Sequence, residues 1–420
     1  MKNLVSSAAN SVFLATEPIQ NQHVRILGYQ IRVGDALGQD GAVSPDGDDA
    51  ARLAASVGIA GISLLRRGQA AFVRVTRDGL LNDAPAALDP SHTIVEVPAA
   101  IGADRKVVAA CAALHERRYQ LSIDGFSTDT PVPELMPYAS YVKIAANGVE
   151  GRSQRSRTVA MLKPGVRAVI ATSVHTAEQM ESAAAEGFEY FQGFVVGVPR
   201  TASGRDFSPN QVALLELLRA LGDPNLSIHH LEDLVKHDPA ICYRLLQTVN
   251  SAAFAVRSTV TSIAQAILLL GRDPIRRWAS LWAMAGLGAD SHDELVVMSA
   301  VRARLCETLV TAARGQEAGS EAFLLGMCSM FDAILGRPMA EVVTELPFEE
   351  SSRQVLCGRP GPLRGVLDSV IAHERGAFRD SAAIAAGAGL NARLLPGAFM
   401  EALRWTRELH DIRFQIAVSH

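Results

Sequence analysis

The sequence predicts two domains, an α/β barrel followed by an all-helical domain. Three observations predict this. The chain has 420 residues, which exceeds one typical domain. Short β-branched runs alternate with helical stretches up to about residue 200. After Pro199 the apolar residues recur at helical spacing. We therefore predict a barrel domain at 1–200 and a helical domain at 201–420.

In the first half, five runs rich in β-branched residues have the composition of buried parallel strands: 71–75, 93–97, 119–123, 141–144 and 166–170. Between them lie amphipathic segments such as 104–117 and 175–187, the second of which ends in a glycine suited to a left-handed helix cap. Repeated strand and helix units of this kind are typical of an α/β barrel of the TIM type.

The second half shows few strand-like runs. Ser208 and Pro209 suit the start of a helix. Apolar residues then follow at helical spacing, as in Leu214, Leu217, Leu218 and Leu221, and again in Ile263, Ala266, Ile267 and Leu270. Turns are expected at 357–362 and around 387–396, where glycine and proline cluster.

Composition limits the classes of partner. The formal net charge is -4 and the pI is near 6.3, so nothing favours nucleic acid as a partner. No apolar run approaches the roughly 20 residues that a bilayer crossing needs, and polar residues interrupt the first residues before a signal-peptide core could form. We expect a cytoplasmic protein without a membrane contact. The five cysteines are scattered, and we expect all of them to be buried small hydrophobes.

Two segments of the helical half resemble the signature blocks of HDOD domains, namely 238–251 and 262–271. The first half is similar to a degenerate EAL domain. This resemblance is carried by Glu17-Pro18-Ile19, Leu27-Gly28-Tyr29-Gln30, Ile123-Asp124-Gly125-Phe126, and Tyr190-Phe191-Gln192-Gly193-Phe194 with Pro199. An EAL domain followed by an HDOD domain is a bacterial signalling architecture, and the resemblance covers nearly the whole chain.

The EAL resemblance implies a phosphodiesterase that linearises cyclic di-GMP with two divalent metals, which need several carboxylate ligands. Many of the family's catalytic positions are substituted: Gln30 replaces a glutamate, Gly34 a phosphate-gripping arginine, Arg74 an asparagine ligand, Gly125 and Ala145 aspartates, Thr172 a glutamate and Ser173 a lysine. On this ligand count the sequence predicts no catalytic residues, no metal, no cofactor and therefore no enzyme.

Five residues remain candidates for binding a ligand in the degenerate pocket: Glu17, Gln30, Glu96, Asp124 and Gln192. Glu96 and Asp124 are the surviving carboxylates, which we expect to be solvated remnants at the barrel mouth. Glu17 stands where the family has a ligand-touching glutamine, which adds negative charge near an anionic nucleotide. Gln192 precedes a glycine that a last barrel strand needs for close backbone approach. A lone His175 is expected to be a surface or capping residue.

HDOD domains resemble HD metal phosphohydrolases but lack their metal-binding histidine and aspartate. The pairs His237-Asp238 and His292-Asp293 are interpreted as coincidental, the first at a helix start and the second in a polar loop. At the two HD ligand positions the chain has Ser329 and Met330, which we place in a buried helix. Arg272, Arg276 and Arg277 beside Trp278 are expected to form a solvated helix face rather than an anion site.

These expectations combine into one functional interpretation. The chain is predicted to be a noncatalytic regulator of bacterial signal transduction that acts through contacts with unidentified regulatory proteins. Two alternatives stay open. In the first, the degenerate pocket is a receptor for cyclic di-GMP, and in the second the barrel is a residual cyclic di-GMP phosphodiesterase.

Overall fold

The computed structural model describes residues 12–23, 25–34, 65–129, 131–148, 151–193, 226–236, 262–287, 293–344 and 350–417, with single positions 50, 214, 217, 218, 220, 221, 245, 249 and 260. The chain divides into two compact units. The barrel unit contains Met1–Val198, Ser369–Ala386 and Ala392–Met400, and the helical unit contains Pro199–Asp368, Gly387–Asn391 and Glu401–His420. The domain boundary at residue 200 stays a prediction, because it lies outside the described residues.

Eight strands form the barrel: β1 Phe13–Gln20, β2 Ile26–Gly34, β3 Ala70–Arg74, β4 Thr93–Pro98, β5 Gln120–Asp124, β6 Ala139–Ala145, β7 Ala168–Thr172 and β8 Tyr190–Gln192. Five of them, β3 to β7, overlap the five strands that the sequence predicts. Each carries a buried β-branched or aromatic centre, which is why local composition was sufficient to locate them.

The strands close into a barrel in the order β1 to β8, as the fold class predicts. Strands β2 to β8 all run in the same direction, so that each is parallel to the next. Strand β1 is antiparallel to both β2 and β8. This hairpin departs from the uniform strand and helix alternation of a TIM barrel. Its physical reason is the short connection from Gln20 to Ile26, which permits an antiparallel hairpin but leaves no room for a crossover helix.

One end of the barrel interior is filled with apolar side chains. Ile19, Phe72, Ile94, Tyr141 and Ile170 belong to one buried cluster, and the rings of Phe72 and Tyr141 meet edge to face at 5.5 Å. Side chains from alternate strand positions fill a small barrel in layers, so this cluster is a floor beneath the residues one layer further along each strand. The next layer is polar.

Four helices with bounds that the structure gives flank the strands of the barrel: α1 Arg77–Leu81, α2 Arg105–Glu116, α3 Arg152–Leu162 and α4 Ala177–Ala185. The predicted segments 104–117 and 175–187 are confirmed as α2 and α4. Asp104 caps α2, and Thr176 with Gln179 forms a capping box on α4. Gly187 follows α4 with a positive φ of 101°.

The remaining helices follow the barrel in the chain: α5 Ile228–Lys236, α6 Ile263–Leu270, α7 Arg272–Leu287, α8 Asp293–Arg314, α9 Gln316–Cys328, α10 Phe331–Leu335, α11 Met339–Val342, α12 Glu350–Leu356, α13 Arg364–Glu374, α14 Phe378–Gly387 and α15 Leu395–Ala417. No strand occurs among the described residues after Gln192, which agrees with the all-helical prediction. Gly271 ends α6 as predicted, with φ 87°. The predicted turn at 357–362 falls between α12 and α13, whereas the one around 387–396 overlaps the end of α14, a 3-10 helix at Ala392–Leu394 and the start of α15.

The stretch Gln316–Leu335 is long and apolar enough to pass as a membrane-spanning helix, with a mean hydropathy of 1.3. The expectation that no apolar run approaches the length of a membrane-spanning helix is therefore wrong for this stretch. The window is 61% buried within the protein, as in the core helix of a globular unit. Burial of this stretch inside the protein accounts for its apolar composition.

The cysteine prediction is partly wrong. Cys111, Cys306 and Cys328 are buried, but Cys357 is exposed because it lies just after the end of α12, in the turn before α13. Burial raises the pKa of the Cys111 thiol to about 12. Cys242 lies outside the described residues.

Two segments from the C-terminal part of the chain pack within the barrel unit. His373, Phe378 and Phe399 surround the first residue of β1, and His373 has ring centroids at 6.0 Å from Phe13, 5.3 Å from Phe378 and 5.0 Å from Phe399. Phe378 also packs on Gly34 at the end of β2, where a Cβ atom would lie 2.4 Å from the ring. This end of the β1 and β2 hairpin is therefore covered by the chain itself.

Candidate functional site at the barrel mouth

The carboxyl ends of the parallel strands place polar side chains in one layer of the barrel. Register aligns Glu17 with Gln30 across β1 and β2, Arg74 with Glu96 across β3 and β4, and Pro98 with Asp124 across β4 and β5. In barrels of parallel strands, functional residues lie at this end. We call this layer, made of Glu17, Gln30, Arg74, Glu96, Asp124, Lys143 and Gln192, the polar layer.

Lys143 occupies the centre of the polar layer. Its side chain is 1% exposed, and its Nζ atom donates to Gln30 Oε1 at 2.5 Å and to the Glu96 carboxylate. The same Nζ atom lies 4.8 Å from the centre of the Phe72 ring, which belongs to the apolar floor. A buried ammonium is thus held by partners from three other strands.

The environment of Glu96 differs from the expectation of a solvated remnant, which is wrong. The Glu96 side chain is 4% exposed and ion-paired with Lys143, because its strand position points into the barrel. Burial raises the pKa of Glu96, while the charge of Lys143 opposes this rise and the charge of Asp124 adds to it. Glu96 and Asp124 are therefore close enough to interact electrostatically.

Asp124 lies nearer to the solvent. Its carboxylate is 3.9 Å from Arg74 Nη1, with side-chain exposures of 24% for Asp124 and 32% for Arg74. At this distance and exposure the pair adds little to stability. The Arg74 cation stands beside a carboxylate at the strand position where the family resemblance implies an asparagine ligand.

A second polar cluster connects β1, β2 and β8. Glu17 Oε2 accepts from Arg32 Nη2 at 2.8 Å and from Gln192 Nε2 at 3.0 Å. Glu17 is buried, whereas the Arg32 side chain is 47% exposed. The negative charge of Glu17 is therefore matched by the partly exposed cation of Arg32.

The structure brings all five sequence-predicted binding residues to this end of the barrel, but in two clusters. Gln30, Glu96 and Asp124 gather around Lys143 and Arg74, whereas Glu17 and Gln192 gather around Arg32. Their role as a ligand site stays a prediction.

The close backbone approach expected at Gly193 is present, because a Cβ atom there would lie 1.8 Å from the Val174 carbonyl oxygen.

The other substituted positions surround the same end. Gly125 and Ser173 both adopt positive φ values, 72° and 59°, and only Ser173 has a side chain that disfavours this conformation. His175 is exposed as predicted, and its backbone N–H donates to Gln179 Oε1 at 2.6 Å. Among the described residues, no group of three or more histidine, cysteine, aspartate or glutamate side chains is arranged to hold a metal.

In the helical unit, the predicted buried helix is confirmed for residues 322–328, but Ser329 and Met330 lie in the turn between α9 and α10 and not in the helix. Residues 322–328 of α9 are all buried, Ser329 Oγ donates to the Gly326 carbonyl, and Met330 is 2% exposed. The prediction of a solvated face at Arg276 and Arg277 is wrong. Arg276 is buried, and Arg277 pairs with the buried Glu307 at 2.8 Å, since α8 packs beside α7. The segment 237–244, Asn250, Ser251 and His292 lie outside the described residues.

The reasoning from sequence missed Lys143 and Arg32 as members of the site. A signal existed for Lys143, because a lone lysine between the apolar residues Val142 and Ile144 interrupts a buried strand. A charge in such a place requires a partner. The identity of that partner needed the barrel register.

The chain forms a closed eight-stranded barrel that is followed in the sequence by helices, and comparison with known proteins identifies an HDOD domain in the second half. Residues 209–333 match the model of the HDOD domain family. The chain is 27% identical over 417 residues to the cyclic di-GMP phosphodiesterase CdgJ of Vibrio cholerae serotype O1, covering 96% of this chain and 94% of that protein.

A further full-length relative is the uncharacterized protein YuxH of Bacillus subtilis, which is 27% identical over 411 residues, 96% of this chain and 100% of that protein. Among solved structures, the PaMucR phosphodiesterase in complex with c-di-GMP is 19% identical and covers 48% of this chain and 99% of that chain, with a TM-score of 0.35. At that score the likeness adds nothing to the barrel topology described above.

The relative CdgJ corrects the functional interpretation. The sequence predicted a noncatalytic regulator and no enzyme, and this is contradicted by a match across nearly the whole of a protein that is named a cyclic di-GMP phosphodiesterase. The prediction rested on the combined loss of carboxylates that a two-metal centre needs. The folded barrel retains a dense polar layer, in which Gln30, Glu96 and Asp124 are joined by Lys143 and Arg74.

Proposed function

We propose that the barrel binds cyclic di-GMP at the polar layer and hydrolyses it as a phosphodiesterase. The observation that carries this proposal is the near-complete match to CdgJ, whose name states that activity. The geometry supports an anionic ligand. Arg74 and Arg32 are partly exposed cations at the mouth, and Lys143 lies beneath them. Arginine suits phosphate because its planar donors match phosphate oxygens.

The two divalent metals that the resemblance implies do not fit the described residues. The polar layer around Lys143 offers two carboxylates, Glu96 and Asp124, and one amide oxygen, Gln30. Each carboxylate already faces a cation of the chain. A pair of dications needs more carboxylate charge than this, and it would be repelled by Lys143 and Arg74. The proposed hydrolysis therefore uses no metal.

Hydrolysis adds one water molecule across one phosphodiester bond, so that one P–O bond forms and the P–O bond to the leaving hydroxyl breaks. A base must take a proton from the attacking water, and the leaving oxygen must receive one. Burial raises the pKa of Glu96, and a raised pKa makes a carboxylate a stronger base. The Lys143 ammonium lies beside Glu96, where it can stabilise the extra negative charge of the transition state.

The proposal is tested by incubating the full chain with cyclic di-GMP and separating the linear product by chromatography. We expect turnover that falls by at least about a hundredfold in Glu96→Ala, as is typical when a general base is removed. The matched control is Glu189→Ala, which removes an exposed carboxylate paired with Lys163. If the wild-type chain forms no more linear product than Glu96→Ala, the proposed hydrolysis is wrong.

A second candidate function is a receptor that binds cyclic di-GMP without cleaving it. The observation in its favour is the pairing of Glu96 with Lys143, which leaves that carboxylate less available to activate water. Calorimetric titration separates the candidates. Binding without a linear product supports the receptor, and no heat at roughly tens of micromolar ligand, corresponding to a binding free energy of about 6 kcal/mol, excludes it.

We also propose that the protein is cytoplasmic and that it binds regulatory proteins. In the helical unit, Leu268 and Leu269 on α6 are 82% and 53% exposed, and Ile228 on α5 is 50% exposed. Apolar residues exposed together are found at protein contacts. Pull-down with a Leu268→Glu variant as the control would test whether a partner uses them.

A further inference from the structure

Side chains from three other strands surround the ammonium of Lys143. Gln30 on β2 and Glu96 on β4 provide its oxygen partners, and Phe72 on β3 lies beneath it with its ring centre 4.8 Å away. Only 1% of the Lys143 side chain is exposed. A buried ammonium requires both a counter-charge and hydrogen-bond acceptors. Glu96 supplies the counter-charge, and Glu96 and Gln30 supply the acceptors.

The two oxygen partners of Lys143 are positions that the EAL resemblance assigns to metal ligands. Gln30 takes the place of the first-strand glutamate, and Glu96 is a surviving carboxylate. The ammonium therefore lies where a metal bridging these two oxygens would have to be. A lysine ammonium and a divalent cation seek the same oxygen acceptors, so they compete for this space.

A second cation faces the remaining carboxylate. Arg74 Nη1 is 3.9 Å from Asp124 Oδ2, at the strand position that the resemblance assigns to a neutral ligand. The charges of Glu96 and Asp124 are thus balanced by those of Lys143 and Arg74. A dication entering this neutral group would gain no net attraction and would meet two like charges at close range.

We propose that Lys143 is a resident cation, which occupies the place of a divalent metal in this barrel and makes the polar layer independent of metal. The substrate part of this inference rests on the proposed function, whereas the exclusion of the metal does not. Positive charge for the phosphodiester then comes from the protein itself, as Lys143 and Arg74.

The test is the binding of Mn²⁺ to the full chain, measured by electron paramagnetic resonance and calorimetry. We expect no saturable binding by the wild type. Lys143→Met keeps the length of the side chain and removes its charge, and we expect it to bind Mn²⁺ at least about tenfold more tightly than the wild type, because a like charge within a few ångströms has gone. Saturable binding by the wild type would overturn the inference.

Two further variants complete this test. Lys163→Met is the matched control, since Lys163 is an exposed lysine whose Nζ atom pairs with Glu189 at 2.9 Å, and we expect no gain of Mn²⁺ binding. Arg74→Asn is the second variant, in case Lys143→Met does not fold. Arg74 is partly exposed, so its loss disturbs the core less, and we expect a smaller gain. Mn²⁺ affinity that is the same in wild type, Lys143→Met and Arg74→Asn would contradict a resident cation.

Turnover of cyclic di-GMP in excess EDTA separates failure of this inference from failure of the proposed function. Turnover that resists EDTA supports both. Turnover that EDTA abolishes and Mn²⁺ restores overturns the resident cation and leaves the phosphodiesterase in place. No turnover under either condition, together with no Mn²⁺ binding by the wild type, removes the hydrolysis and supports the role of Lys143.

Discussion

At the scale of single residues, burial decides the ionisation behaviour of the groups inside the barrel unit. Glu96 and Lys143 are both enclosed, and each supplies the counter-charge that the other needs. Removing one partner of such a buried pair costs about 3–5 kcal/mol, because the other charge is left without compensation. The Mn²⁺ comparison is therefore best made with proteins whose folding has been checked by circular dichroism.

His373 is another enclosed titratable group of the barrel unit. It is fully buried among Phe13, Phe378 and Phe399, and neither ring nitrogen has a hydrogen-bond partner in good geometry among the described residues. Burial lowers the pKa of His373 to about 4, against a smaller opposing contribution from the backbone of Leu14. The unfolded chain, with an ordinary histidine pKa near 6.5, binds the proton more readily.

We predict that this histidine makes the protein less stable in acid. Because the pKa is lower in the folded state, stability is complete above about pH 6.5 and falls as the pH drops towards 4, by up to about 3 kcal/mol. His373→Leu should remove this part of the pH dependence in urea unfolding. The matched control is His175→Leu, which replaces an exposed histidine outside the aromatic cluster. Equal profiles for wild type and His373→Leu would contradict the assignment.

At the scale of elements, the hairpin of β1 and β2 is adapted to the C-terminal segments of the barrel unit. Gly34 ends β2, and Phe378 at the start of α14 occupies the space that a side chain at Gly34 would need. Gly34 stands at the position for which the resemblance implies a phosphate-gripping arginine. Any larger residue there has to displace the phenyl ring, so packing excludes that arginine.

We predict that Gly34→Ala destabilises the protein by about 1–3 kcal/mol, since the added methyl group would lie 2.4 Å from a ring carbon of Phe378. Urea unfolding measures the change. The matched control is Gly397→Ala in α15, where a Cβ atom meets nothing within 4 Å and alanine should add about 0.5–1 kcal/mol of stability. A neutral result for Gly34→Ala would mean that Phe378 does not pack there.

At the scale of the whole molecule, the two compact units offer separate reporters. All three tryptophans, Trp278, Trp282 and Trp405, lie in the helical unit, whereas five of the six tyrosines precede residue 199. Tryptophan fluorescence therefore follows the helical unit alone, and far-UV circular dichroism follows both units.

We predict that cyclic di-GMP raises the thermal midpoint measured by circular dichroism more than the midpoint measured by tryptophan fluorescence. Ligand at 100 times its Kd stabilises the state that binds it by about 2.7 kcal/mol. Linear GMP dinucleotide at the same concentration is the control for nonspecific anion effects. A larger shift in tryptophan fluorescence would place the ligand in the helical unit and contradict a site at the barrel mouth.

The sequence by itself determined much of the architecture. Strands β3 to β7, helices α2 and α4 and the helical second half follow from local hydrophobic periodicity, and Gly271 follows from a local backbone need at the end of a helix. The five candidate polar residues were named from the EAL resemblance, and their role in binding a ligand stays a prediction. The prediction of no enzyme came from the same comparison and is contradicted by the match to CdgJ.

Only the tertiary structure decided how those residues are paired. Lys143 meets Gln30 across 113 residues of chain, and Glu96 across 47, through the register of strands that are distant in sequence. The antiparallel β1 and the packing of Phe378 on Gly34 are likewise long-range contacts. Local periodicity reports which face of an element is buried, but it does not report which side chain from another element arrives there.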